Sequence, residues 1–280
     1  MHQVGHGAQR ASSRRFRSLL TGVLATLFAI GAATAVAPEA QAATRKVVIV
    51  VGPVGSQTAN YKANAAVLAR QARGYGASVT LIETPSATWS RVASAARGAN
   101  VLIYLGHGNG TPSPFPYSPD RMNGLGLNAS AGAGNGNTKY YGETFMAQLH
   151  LARNAVVILN RLCYASGDSE WGSANPTQAI ALKRVDNYGV GFFRAGAKAL
   201  FASGISSVGY VLAGLFRASA GMTMAQLFWT DPAQTGRYKL AFTSRRTTGT
   251  RALMDPYAPN RYYRSVIGWL STTMGAWRSG

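Results

Sequence analysis

Continuous apolar runs, rather than alternating ones, carry the strand signal in this chain. The run Val47-Val48-Ile49-Val50-Val51 follows Lys46 and feeds the turn Gly52-Pro53-Val54-Gly55. Further runs of the same kind stand at Val101–Leu105, 155–159 and 198–203, and residues 77–82 make a second, more mixed strand. Between them the period changes. Ala65, Ala66, Leu68, Ala69 and Ala72 fall on one side of a helix predicted over 59–74, and a second helix is predicted over 87–97. Strand, helix, strand, helix, strand at this spacing implies right-handed crossovers and parallel pairing. Strands apolar along their whole length are those covered on both faces. The fold class that follows is α/β, a three-layer α/β/α sandwich around a mainly parallel sheet.

The second half is less regular. Residues 109–137 are rich in Gly, Asn, Ser and Pro and are expected to form a long loop over the first half, mobile and suited to a lid. A helix is expected over 140–151, a turn-rich stretch over 165–176, and helical sequence from there to Arg194. A long apolar helix or helix pair follows at 207–229, then a short strand at 238–242 and a helix at 262–277. There is no internal repeat and no linker, so one domain is expected over 43–280.

The first 42 residues have a different pattern. Arg10, Arg14, Arg15 and Arg17 precede an apolar stretch over 19–36, and Ala40-Gln41-Ala42 offers small residues at a cleavage position. This is the pattern of an export signal, cleaved after Ala42 to give a secreted or extracytoplasmic chain beginning at Ala43; an uncleaved membrane anchor is the alternative. The export route stays open.

The chain carries 28 Lys and Arg against 9 Asp and Glu, a formal charge of +19; four of those cations and one acid lie before Ala43, which leaves +16. Such a surface favours anionic partners, a cell-wall polymer or membrane head groups. The cations are scattered, with no basic run longer than a pair such as Arg245-Arg246 after the signal, so no specific nucleic-acid site is expected. Two His and one Cys after the signal supply no metal-ligand spacing, and no cofactor motif is complete: the turn after the first strand lacks a phosphate loop's Lys and Ser/Thr.

Cys163 is the one cysteine and has no internal disulfide partner; it is free, buried or paired between chains. It follows the 155–159 strand, and His107 with Gly108 follows the Val101–Leu105 strand. In a parallel sheet both positions fall at the carboxyl edge, where ligands bind. A thiolate needs a base beside it, and a developing oxyanion needs amide donors, which the N–H groups of Gly108 and Cys163 can supply. His150, flanked by Leu149 and Leu151, belongs to the opposite edge.

The blocks Leu102-Ile103-Tyr104-Leu105-Gly106-His107-Gly108 and Val156-Val157-Ile158-Leu159-Asn160-Arg161-Leu162-Cys163, with Ser166-Gly167 beyond, resemble the caspase-like cysteine peptidases, the superfamily of caspases, gingipains, separases and CHAT domains. His107 and Cys163 are 56 residues apart, against roughly 50 in caspases. Residues 192–203 are similar to the helix-to-strand unit that follows the Cys in CHAT-type domains, so the resemblance covers about 46–210. It implies a cysteine endopeptidase with a polypeptide substrate, no metal and no cofactor, Cys163 as nucleophile, His107 as general base and acid, and Gly108 at the oxyanion. Asp168 and Glu170 either place negative charge beside the specificity pocket, favouring a basic residue before the scissile bond, or solvate an exposed turn. Ser206 and Ser207 fall where the substrate groove is often bordered. The alternative is a non-catalytic domain of the same fold that binds an anionic cell-surface polymer or another partner. A catalytic Cys163 would be partly exposed in a cleft, a structural one buried.

Overall fold

The computed structural model describes residues 44–132, 134 and 136–280; the export signal expected over 1–42 lies outside the described residues. Five parallel strands build the first part of the sheet: β1 (Lys46–Val51), β2 (Ser78–Glu83), β3 (Val101–Leu105), β6 (Ala155–Asn160) and β7 (Ala197–Ser203). Two more, β4 (Leu125–Asn128) and β5 (Thr138–Tyr141), form a separate antiparallel pair. The large sheet continues antiparallel through β10 (Arg264–Gly268), β9 (Arg251–Met254) and β8 (Leu240–Thr243), in the order β2-β1-β3-β6-β7-β10-β9-β8.

Both faces are covered, as the unbroken apolar strands require. Val48, Val50, Leu102, Val157, Leu159 and Leu200 bury one face under α2 (Trp89–Ala96), α3 (Glu143–Met146) and α4 (Gln178–Arg194). Val47, Ile49, Ile103, Ile158 and Phe201 bury the other under α1 (Thr58–Gly74), α5 (Gly209–Arg217), α6 (Met224–Phe228) and α7 (Met274–Ser279). Alternate residues of one strand thus serve two cores, and each fully buried aliphatic side chain contributes about 1.5–3 kcal/mol. This is the three-layer α/β/α architecture with a mainly parallel sheet expected from the sequence.

Three elements differ from expectation. Residues 140–151 were expected to be a helix; they hold the end of β5 and the four-residue α3. Gly191 of α4 has no side chain to keep α3 away, for a Cβ there would stand 2.6 Å from the Glu143 carbonyl. The helix expected over 262–277 is instead strand β10 followed by α7: adjacent Val266 and Ile267 face opposite cores, a demand that a strand meets. The 109–137 segment is not irregular throughout. It contains β4, whose four residues are all buried, and Arg184 and Asn187 of α4 hold its start through the carbonyls of Pro112 and Thr111, both at 2.8 Å.

Among the described residues, no helix is long and apolar enough to cross a membrane.

Candidate active site

Parallel pairing of β3 with β6 sets Leu105 opposite Asn160, so the two chain segments beyond them leave the sheet side by side. His107 and Gly108 lie on the first, Cys163 on the second. The approach is close: a Cβ on Gly108 would stand 2.6 Å from the carbonyl oxygen of Cys163. His150 lies at the other edge of the sheet, where its carbonyl accepts from the Gly98 N–H at 2.8 Å, just before β3 begins.

The turn that carries Cys163 is tight. Arg161 (φ 60°) and Tyr164 (φ 69°) both occupy the left-handed region, which costs non-glycine residues about 1–3 kcal/mol each and collects at functional sites. The Arg161 N–H donates to the Ser203 carbonyl at 2.6 Å, tying the turn to β7. Arg184 reaches from α4 to the Ser169 hydroxyl at 3.0 Å and lies 4.6 Å over the Tyr164 ring, which braces the turn from the other side.

The segment with His107 is held by its backbone. The His107 carbonyl accepts from the Gly126 N–H at 3.0 Å and from the Tyr104 hydroxyl at 3.1 Å. Tyr104 is wholly buried and also donates to the Gly126 carbonyl, so β4 serves as the wall that fixes the His107 segment. Among the described residues, the Gly108 N–H has no protein acceptor, the Cys163 N–H meets its own sulfur, and no hydrogen bond joins the His107 ring to that sulfur.

Cys163 is half-buried and lines a cavity of about 500 Å3 with Asp168, Glu170, Ser166, Arg161, Trp171, Tyr61, Arg261 and Tyr263. The floor is polar and incompletely paired. Among the described residues, the Ser166 hydroxyl and Oδ2 of Asp168 are buried without a hydrogen-bond partner, the other Asp168 oxygen accepting from the Ser169 N–H at 2.8 Å. Ser166 is 1% and Asp168 8% exposed, so neither merely solvates a turn. An unpaired buried carboxylate oxygen is costly, and a cationic or hydrogen-bond-donating ligand would satisfy it.

Burial sets the electrostatics first, and the carboxylates add to it. Burial pushes the Cys163 thiol up to about 11, the charges of Glu170 and Asp168 push the same way, and the Trp171 amide opposes them. Burial lowers the pKa of His107 while Glu170 raises it, so one carboxylate acts on both candidate catalytic groups. Burial raises the pKa of Asp168 itself, opposed by the amides of Ser169 and Tyr262 and by the charges of Arg261 and Arg184.

Sequence-predicted residues divide accordingly. Cys163, Asp168 and Glu170 share the cavity, with Gly108 against the Cys163 backbone and His107 next to it, outside the lining. Ser206 and Ser207 do not reach it. Ser206 bonds to the Ser203 hydroxyl at 2.7 Å, and the Ser207 hydroxyl accepts from the Gly209 N–H at 3.3 Å, so both fasten the β7–α5 connection; Gly204 and Ile205 line the cavity in their place. Sequence reasoning quoted Ser166 only within the block around Cys163 and missed Tyr61, Trp171, Arg261 and Tyr263 as lining residues. A Trp inside the turn-rich 165–176 stretch was a usable signal, and Trp171 is 96% exposed at the cavity mouth. The others come from separate elements and had none. Among the described residues, no three His, Cys, Asp or Glu side chains are gathered to hold a metal ion.

No protein-family model and no curated protein matches the chain. Among solved structures it is similar to the Arg-specific cysteine proteinase gingipain R, with 15% identity and a TM-score of 0.35 over 82% of this chain and 61% of that one. A secreted C11 cysteine protease from Bacteroides thetaiotaomicron aligns with 8% identity and a TM-score of 0.38, over 76% of this chain and 66% of that one. A short-chain flavodoxin aligns with 15% identity and a TM-score of 0.27, over 55% of this chain and 76% of that one. The aligned region therefore spans less than two thirds of the two proteases.

Proposed function

We propose that this chain is an exported, caspase-like cysteine endopeptidase that cleaves after a basic residue. The observation that carries the reading is a half-exposed Cys163 on a cavity floored by the buried Asp168 carboxylate, beside the unengaged Gly108 amide. His107 accepts the thiol proton, and the thiolate attacks the carbonyl carbon of the peptide bond. The N–H groups of Gly108 and Cys163 donate to the resulting oxyanion. Collapse breaks the C–N bond as His107 returns the proton to the leaving amine, and water then hydrolyses the thioester.

The raised thiol pKa has its causes in burial and in the charges of Glu170 and Asp168. Glu170 and Asp168 oppose ionisation of Cys163, and they are the anionic groups a Lys or Arg side chain would meet in a cavity that Arg161 and Arg261 also line. A bound cation offsets their charge, so substrate entry itself favours the thiolate. Export removes residues 1–42 before the domain acts.

A second reading, a non-catalytic domain of the same fold, is favoured by the missing bond between His107 and Cys163. Apo sites are often loose, so that gap does not decide between them. Peptides with Arg, Lys, Leu or Asp before a fluorogenic leaving group separate the two. We expect hydrolysis after Arg or Lys, none in Cys163→Ala, and a rate about 10²–10⁴-fold lower in His107→Ala. No hydrolysis of any peptide, with Cys163 alkylation unchanged in His107→Ala, would establish the second reading.

A further inference from the structure

The large sheet ends at β8, and among the described residues no further strand pairs with that edge. Leu240 pairs with Met254 and Thr243 with Arg251, and the ladder closes with the Ser244 N–H donating to the Thr250 carbonyl at 3.1 Å. Hydrogen-bonded pairs alternate along an antiparallel ladder, so Ala241 and Thr243 turn their N–H and C=O groups away from β9. Both residues are exposed. Two clefts follow this edge against the first half of α4. One, of about 530 Å3, is lined by Phe242, Leu182 and Lys183; the next, of about 370 Å3, by Leu240, Tyr238 and Gln178.

The edge is strongly cationic. Arg237, Lys239, Arg245 and Arg251 flank β8, Lys183 faces it from α4, and residues 232–254 contain no acid. Among the described residues none of these five cations has an ion-pair partner. The acid lining the clefts, Asp186, already accepts from the Ser244 hydroxyl and the Arg245 N–H. Exposed edge strands recruit extended chains, and edge cations ordinarily repel self-pairing. A second copy would bring like charge against like, and the chain's own basic leader has the wrong sign as well. The occupant that fits is acidic.

From these features we infer that β8 is a docking edge for an extended acidic polypeptide segment. The segment adds as a ninth strand, bonding to Ala241 and Thr243 through its backbone. Side chains on its apolar face enter the two clefts, and its carboxylates meet Lys183, Arg237 and Arg245. This edge stands four strands from β6, about 19 Å at the usual spacing, so docking there leaves the Cys163 cavity open.

The test is fluorescence anisotropy of the full chain with a labelled nine-residue peptide alternating Glu with Val and lacking Lys and Arg. Its comparators are the same peptide N-methylated at alternate residues, a Lys-for-Glu peptide and a heparin fragment. We expect saturable binding of the Glu peptide that weakens at least tenfold on raising salt from about 50 to 500 mM. The N-methylated and Lys peptides should each bind at least tenfold more weakly, as should the Glu peptide to Ala241→Pro, which removes an outward N–H. Equal binding of the N-methylated peptide would overturn strand addition whether or not the proline variant folds. So would heparin binding without saturable peptide binding, which would assign the face to an anionic polymer.

Discussion

Replacing Gly108 by Ala puts one methyl group where the structure has no space for it. The new Cβ would stand 2.6 Å from the Cys163 carbonyl oxygen, 2.6 Å from the Tyr188 hydroxyl and 3.0 Å from Cγ of Leu162. Tyr188 cannot swing aside: it is wholly buried, and its hydroxyl donates to the Gly124 carbonyl at 2.6 Å. Restoring an ordinary contact of about 3.4 Å requires the Gly108 and Cys163 segments to part by about 0.8 Å. Overpacking of this kind costs about 1–3 kcal/mol. Taking about 2 kcal/mol, Tm falls by about 4–8 °C for a domain of this size. The displacement acts on an amide assigned to the oxyanion and on the neighbouring His107, and a misplacement near 1 Å costs about 10²-fold in rate. Thermal unfolding by circular dichroism and kcat/KM on an Arg peptide read the two effects separately. Gly74→Ala is the control, since a Cβ there meets nothing within 4 Å; kcat/KM should hold at wild type, and Tm should not fall because Ala suits a helix better than Gly. A Gly108→Ala chain with unchanged Tm would refute the close approach. A lower Tm with unchanged kcat/KM would refute the role of the amide.

Glu170→Gln should speed iodoacetamide alkylation of Cys163 at pH 8, because removing a negative charge near the sulfur lowers a thiol pKa now near 11. Each unit of decrease raises the small thiolate fraction about tenfold there, and an unchanged pH–rate profile would contradict the assigned electrostatics. Arg264→Met should destabilise the fold by about 3–5 kcal/mol in urea unfolding, since it leaves two buried carboxylates without their cation. Arg264 donates to Asp231 at 2.7 Å and also to Asp255, all three nearly inaccessible; a loss below about 1 kcal/mol would place the trio in solvent.

What the sequence determined by itself follows from burial on two faces. Val47–Val51, Val101–Leu105 and the runs around 155–159 and 198–203 have no polar side, so they had to be central strands with helices above and below. That alone carried the sheet's parallel half, and with it the shared edge of His107 and Cys163. Tertiary structure decided what short or mixed segments become. Residues 264–268 are a strand because β7 offers an antiparallel neighbour and Asp231 with Asp255 offers a partner for Arg264, neither of which is local in sequence. Residues 125–128 are a buried strand because they pair with β5 and pack beneath the His107 segment. The cavity shows the same division. Cys163, Asp168 and Glu170 are neighbours along the chain and were visible there. Tyr61 from α1, Ile205 after β7 and Tyr263 before β10 join them only once the crossovers bring those connections to one edge. Periodicity reports how a residue meets its own element's neighbours, and it carries no record of which distant loops will close around them.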